Sequence, residues 1–148
     1  MNKSEVRIIQ TTLDRIVDLR HRILRAGLPL DAAIFDGDEL PTSVHVAAMF
    51  GNEVVGCATF HFSQWQGRPA WQLRGMATSD TVRRQGLGRK MLDFAEQQLK
   101  SLNDTRQLWC NARTPAIPFY EAMGWRVESG VFEIPTAGPH VRMSKRMG

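Results

Sequence analysis

The chain has 148 residues, 43% of them hydrophobic and 23% charged, which suits one domain over residues 1–148 and excludes wholesale disorder. The net charge of +4 comes with arginines gathered near one glycine turn, a pattern that favours a compact polyanion over a nucleic acid. Because the chain has neither a signal-peptide pattern nor an apolar run of about 18 residues, we expect a cytoplasmic protein with no membrane partner.

The first predicted elements are a strand over Val6 to Ile9 and a helix that begins after Thr11 or Thr12 and ends before Gly27. The charged residues of this helix are expected on a solvated face; they are Arg15, Arg20, His21, Arg22 and Arg25. The acidic stretch Leu30 to Thr42 follows as a long loop. Two readings of it stay open, an attractor for a cationic substrate and a solvated connection.

Three strands of an antiparallel meander come next. They cover Val44 to Phe50, Val54 to Phe62 and Ala70 to Ala77. Gly51-Asn52 predicts a tight hairpin between the first two, and Gln64 to Pro69 predicts the second turn.

The second half predicts a helix beginning near Gly88, a strand over Leu108 to Ala112, and a short helix capped by Thr114 and ended by Gly124. Closing strands are expected over Trp125 to Val127, Val131 to Ile134 and Val141 to Ser144. This order predicts an α/β (α+β) fold with a mixed, mostly antiparallel central sheet flanked by helices. The crossover helix allows the strands before and after it to lie parallel.

A glycine turn between a strand and a helix gathers unpaired backbone N–H groups around one point, which favours an anion. Here the stretch Thr78 to Met91 contains Gly86 and Gly88. A dinucleotide fingerprint fails because Met91 stands where its third glycine belongs, and a P-loop fails because no Ser or Thr follows Lys90.

Arg83-x-x-Gly86-x-Gly88 resembles the pyrophosphate signature of the GCN5-related N-acetyltransferase (GNAT) family. The preceding Leu73 to Thr78 is similar to that family's fourth strand. Asn111-Ala112-Arg113, with Phe119-Tyr120 and Gly124-Trp125 downstream, resembles its second conserved block. The resemblance covers nearly the whole chain and is weakest in the acidic stretch. It implies the acyl-CoA N-acyltransferase fold.

By this resemblance the protein is an acyltransferase that moves an acetyl group from acetyl-CoA directly to a primary amine. The resemblance implies that turn backbone holds the pyrophosphate, that strand-edge backbone holds the pantetheine arm in a slot between splayed strands, and that one asparagine contacts that arm. The implied cofactor-binding residues are Met76, Ala77, Thr78, Arg83, Arg84, Gln85, Gly86, Leu87, Gly88, Arg89 and Asn111.

Tyr120, the only tyrosine in the chain, matches the family's general acid and is the predicted catalytic residue. A general base is not evident, because Ala70 to Thr78 lacks the glutamate that many members carry on this strand. The candidates are His61, His45, Glu133 and His140, and a neutral amine or a water chain would remove the need for one.

The expected acceptor is a small-molecule or peptide amine, which the sequence does not identify further. Its pocket could be lined by Trp65, Trp71 and Phe62. Cys57 and Cys110 lack metal-ligand spacing, so no metal is expected and buried thiols are predicted. The missing strand carboxylate motivates an alternative, a non-catalytic acyl-CoA-binding sensor. The sequence leaves a homodimer open.

Overall fold

The computed structural model describes residues 5–82 and 86–148, which divide into two compact units. One unit contains the chain up to His61 together with Arg74–Asn103, and the other contains Phe62–Leu73 and Asp104–Gly148. Strands β3 (Glu53–Trp65) and β4 (Arg68–Thr78) each run from one unit into the other. The predicted fold class, mixed α/β with mostly antiparallel strands and helices, is confirmed.

The sheet of the first unit is antiparallel. β1 (Val6–Thr11) pairs with β2 (Val44–Phe50), and β2 pairs with β3. Phe50 lies opposite Glu53, so the hairpin predicted at Gly51-Asn52 is confirmed. Every residue of β2 except Phe50 is buried, as expected for a strand covered on both faces.

The described part of the first unit contains the helices α1 (Leu13–Leu24) and α2 (Leu87–Leu102). α1 follows Thr12 as predicted, although the Thr12 hydroxyl is bonded to the Asp14 carboxylate and caps no backbone N–H. Both helices bury one apolar stripe, which for α2 consists of Leu87, Met91, Leu92, Ala95 and Leu99. A 3-10 turn, Leu30–Ala33, opens the acidic stretch. No helix among the described residues is long and apolar enough to cross a membrane.

In the second unit, β4 pairs in parallel with β5 (Gln107–Arg113) through Trp71, Gln72 and Leu73, as the crossover predicted. β8 (Gly138–Arg146) pairs antiparallel with β5 and with the short strands β6 (Arg126–Val127) and β7 (Phe132–Ile134). The turn between β3 and β4 is only Gln66-Gly67, shorter than predicted, because both residues adopt positive φ and close a two-residue hairpin.

The predicted cap at Thr114 is wrong. Thr114 lies inside a 3-10 turn, Thr114–Ala116, and the helix α3 (Ile117–Ala122) begins after Ala116. Pro118 near the start of α3 has no N–H to be capped, so a later start costs little. Gly124 ends the helix as predicted, with φ +92° and its N–H donating to the carbonyl of Glu121.

Candidate active site

The N-terminus of α2 carries the glycine turn. Gly86 has φ +75°, a left-handed conformation that favours glycine, and its carbonyl accepts the N–H of Lys90. The first turn of α2 contains no acidic residue, whereas Arg89 is exposed there and Lys90 follows it. Basic side chains at the positive end of a helix dipole are unfavourable without an anion. Three of the predicted cofactor-binding residues lie outside the described residues; they are Arg83, Arg84 and Gln85.

The last residues of β4 belong to the same unit as α2. Ala77 is buried, and Met76 and Thr78 are half-buried. The backbone N–H of Ser79 donates to the carbonyl of Val55 at 2.8 Å, which ties the end of β4 to β3. The predicted pantetheine strand is therefore a fixed edge of the first unit.

A buried polar cluster lies beside this strand, and its centre is Asp38 of the acidic stretch. One carboxylate oxygen of Asp38 accepts hydrogen bonds from Arg20 at 2.5 Å and from the N–H of Phe35 at 2.7 Å; the other contacts Nε2 of His61 at 2.7 Å. Burial alone would raise the pKa of Asp38, but these hydrogen bonds and the Arg20 charge lower it to about 2. Asp38 is therefore an ionised carboxylate at neutral pH.

The prediction of a solvated face for Arg20 is wrong, because this side chain is completely buried. Its guanidinium donates to Asp38, to the carbonyl of Ala33 at 2.8 Å and to the hydroxyl of Thr59 at 2.6 Å. A buried charge needs such partners, and here an acidic loop and a strand provide them. The loop thus sends Asp38 inward and leaves its other acidic residues exposed; these are Asp31, Asp36 and Glu39.

His45 is fully engaged in this cluster. Its Nε2 lies 2.9 Å from the carbonyl of Asp38, which can only accept, so Nε2 carries the proton. Its Nδ1 then accepts from Thr59, whose hydroxyl oxygen accepts from Arg20. Burial lowers the pKa of His45, which agrees with a neutral ring whose two nitrogens are both occupied.

Tyr120 lies on α3 in the second unit and is 8% exposed. Its ring packs edge-on against Trp125 at 5.4 Å and against Phe119 at 5.2 Å between centroids. Burial raises the pKa of Tyr120 above its ordinary value, and the nearby Cys110 adds to this effect. The phenol therefore keeps its proton at neutral pH.

Asn111 lies on β5 of the same unit, opposite Arg142 of β8. Its Oδ1 is buried and has no hydrogen-bond partner among residues 5–82 and 86–148. An unmet buried acceptor is costly, so this atom is suited to a ligand that brings an N–H or O–H donor.

The second unit has an open pocket, here called the concave surface, with a volume of about 430 Å³. It is lined by Gln64, Trp65, Gln66, Trp109, Glu128, Ser129 and Arg142. The rings of Trp65 and Trp109 lie 5.6 Å apart and form its aromatic wall. Trp65 thus lines a pocket, and its contact with an acceptor stays a prediction. Trp71 is different, because it is buried and packs against Phe62.

The remaining candidate base residues are held in strands. Nδ1 of His140 donates to the carbonyl of Gly138 at 2.8 Å, and Glu133 lies on β7, paired with Pro139. No group of three or more potential metal ligands occurs in the described part of the chain.

A sequence model described as the acetyltransferase (GNAT) family matches residues 13–125, which is more than half of the chain. The chain belongs to the GNAT family. The uncharacterised N-acetyltransferase YitI of Bacillus subtilis is 30% identical over 136 residues, covering 88% of this chain and 89% of YitI.

Solved structures of other proteins share the fold. Escherichia coli ElaA superposes with a TM-score of 0.79 at 16% identity, covering 96% of this chain and 99% of ElaA. An aminoglycoside 6'-N-acetyltransferase complexed with coenzyme A gives a TM-score of 0.74 at 16% identity, covering 95% of this chain and 96% of that one. The predicted family and fold are therefore confirmed.

Sequence reasoning missed the Asp38 cluster of this GNAT chain. One signal was available: Arg20 lies four residues after Ile16 and therefore on the buried face of α1. Its partner could not be inferred, because Asp38 stands 18 residues away in a stretch without periodicity.

Proposed function

We propose that this protein is an acetyl-CoA-dependent N-acetyltransferase that moves the acetyl group directly to a primary amine. The observation that carries the proposal is the start of α2, where a left-handed glycine and basic residues, with no acidic residue in the first turn, favour a bound anion. Membership of an acetyltransferase family supports the pyrophosphate of acetyl-CoA as that anion. The family match covers segments of both units, which supports one acetyltransferase domain over residues 1–148.

In this proposal the backbone amides from Arg84 to Arg89 bind the pyrophosphate, and the side chains of Arg83, Arg84 and Arg89 add positive charge. The backbone of Met76, Ala77 and Thr78 binds the pantetheine arm, and the unmet Oδ1 of Asn111 accepts a hydrogen bond from it. Acetyl-CoA supplies the activated acetyl group. A cytoplasmic location and a homodimer stay predictions from the sequence.

Tyr120 is proposed as the general acid. A buried, protonated phenol is the state that a donor to a leaving thiolate requires. The amine acceptor is proposed to use the concave surface lined by Trp65 and Trp109, whose indole rings suit an amine-bearing group.

Thiol release from acetyl-CoA with a panel of amines tests the proposal. Tyr120→Phe should lose about 100-fold or more in turnover, the usual contribution of a positioned acid, while Phe50→Leu, half-buried at the end of β2, stays active. Both variants should keep the thermal stabilisation by acetyl-CoA, because a ligand that binds only the native state raises its stability.

The protein's own thiols do not obscure this assay. Burial raises the pKa of Cys57 to about 11 and that of Cys110 to about 12, so neither is a reactive thiolate in the folded protein. Stabilisation by acetyl-CoA with no thiol release on any amine would favour the acyl-CoA sensor. Absence of stabilisation would contradict both functions.

A further inference from the structure

His61 of β3 differs from the other histidines in that its bonded nitrogen faces a carboxylate. Nε2 lies 2.7 Å from Oδ1 of Asp38, which is ionised and can only accept. The proton of a neutral His61 ring therefore lies on Nε2, and the lone pair lies on Nδ1. Among residues 5–82 and 86–148, Nδ1 has no hydrogen-bond partner, and the side chain keeps 9% of its surface exposed.

Gly37 lies next to that nitrogen and brings no side chain against it. A Cβ at this position would lie 3.5 Å from Nδ1 and 3.6 Å from Cε1 of His61, in ordinary van der Waals contact. Gly37 also has φ +96°, which only glycine adopts without strain. Glycine, the residue type without a side chain, thus stands next to the Nδ1 side of the His61 ring.

Asp38 holds the ring in place. Arg20 and the N–H of Phe35 both donate to its second oxygen, so the carboxylate is fixed on two sides. A carboxylate on one imidazole nitrogen sets the tautomer and stabilises the imidazolium that forms when the other nitrogen takes a proton. The charged and titratable groups around the Asp38–His61 pair are Arg20, His45 and Arg74.

The cluster also touches the strand assigned to the acetyl donor. Nε of Arg20 lies 2.5 Å from where a Cβ on Gly75 would be, so the guanidinium packs on the backbone of Gly75. The next residue is Met76, the first of the three that the proposed function assigns to the pantetheine arm. The Asp38–His61 pair and that strand edge belong to one unit.

We propose that His61 is the proton acceptor for the amine and that Asp38 is its positioning residue. The inference rests on the proposed function. Nδ1 takes one proton from the incoming ammonium, directly or through a water, and passes it to solvent. The amine nitrogen bonds to the acetyl carbon as the carbon–sulfur bond breaks, and the second proton lost by nitrogen balances the one that the leaving thiolate takes up.

The test compares two acceptors of similar shape, ethylamine and trifluoroethylamine, at neutral pH. Ethylamine arrives as an ammonium ion and needs a base, whereas fluorination leaves trifluoroethylamine largely neutral. His61→Gln keeps an N–H donor for Asp38 but cannot accept a proton in this role. We expect about a 100-fold loss in kcat/KM for ethylamine, with added imidazole restoring part of it, and nearly unchanged kcat/KM for trifluoroethylamine.

A second pair of variants keeps the proposal testable if His61→Gln folds poorly. Gly37→Ala covers Nδ1, while Gly27→Ala introduces a similar backbone strain at φ +85° with no atom within 4 Å. Only Gly37→Ala should lower the ratio of kcat/KM for ethylamine to kcat/KM for trifluoroethylamine.

An equal loss on both amines, or no loss on either, would overturn the role of His61 and leave the acetyltransferase proposal standing. A wild-type protein that releases no thiol with any amine would contradict both.

Discussion

At the scale of single residues, Gly75 shows how tightly the polar cluster is packed. It has φ +63°, and a Cβ there would lie 2.5 Å from Arg20 and 3.0 Å from Phe35. The Phe35 ring in turn carries Arg20 on its face at 4.3 Å and Arg74 at 4.4 Å. Little room remains for an added methyl group.

Gly75→Ala should therefore destabilise the protein by about 1–3 kcal/mol more than Gly51→Ala, the overpacking cost of a filled site. Gly51 has a comparable φ of +58° with no atom within 4 Å, so it shares the backbone strain without the clash. Urea unfolding of both variants measures the difference. Equal free energies of unfolding would show that the guanidinium can move aside.

At the scale of elements, the start of α2 is where the proposed function places the pyrophosphate of the donor. Gly86 and Gly67 both adopt positive φ, +75° and +78°, but Gly67 lies in the hairpin between β3 and β4. Alanine at either position is strained in the same way.

Gly86→Ala should weaken acetyl-CoA binding about tenfold or more, because it strains the start of α2, to which the proposed function assigns the pyrophosphate. Gly67→Ala should lose a similar amount of stability and keep the affinity. Calorimetric titration with coenzyme A measures both. Equal affinity in the two variants would remove the turn from the binding site.

The elements themselves were largely predictable. Apolar periodicity located α1, α2 and the strands, because their buried faces repeat regularly along the sequence. The ends of β3 and β4 were missed since exposed polar residues continue these strands to a two-residue turn. Thr114 was misassigned because a nearby proline shifts the start of α3.

The candidate site was predictable only where a motif carried it. Tyr120, Asn111 and the glycine turn follow from the family resemblance, and their roles stay predictions. The Asp38–His61 pair joins a loop to a strand 23 residues later, and no local pattern encodes such a contact.

At the scale of the whole molecule, the buried cluster links folding to pH. The pKa of Asp38 falls from 3.8 to about 2 on folding, so the unfolded chain binds this proton first and acid favours unfolding. The stabilisation is complete above about pH 4 and is lost as the pH falls towards about 2. Protonation of His45 also lowers the free energy of unfolding in acid. This effect begins below pH 6.5, because folding lowers the pKa of His45 from that value.

The free energy of unfolding should therefore fall by about 2 kcal/mol from Asp38 alone between about pH 4 and pH 2. Asp38→Asn should remove this step and be less stable at neutral pH, since Arg20 loses its buried counter-charge. Asp36→Asn, at an exposed position of the same loop, should keep the step. A wild-type pH dependence in Asp38→Asn would refute the assignment.

The central claim, direct acetyl transfer to an amine, is tested most directly by following the acetyl group itself. Acetyl-CoA with an isotope-labelled acetyl group is incubated with the protein and an accepted amine, and free coenzyme A and labelled N-acetyl amine are both quantified. We predict that they form in equal amounts in the wild type and that both fall together in Tyr120→Phe. Free coenzyme A without the labelled amide would instead show hydrolysis of the thioester and contradict the claim.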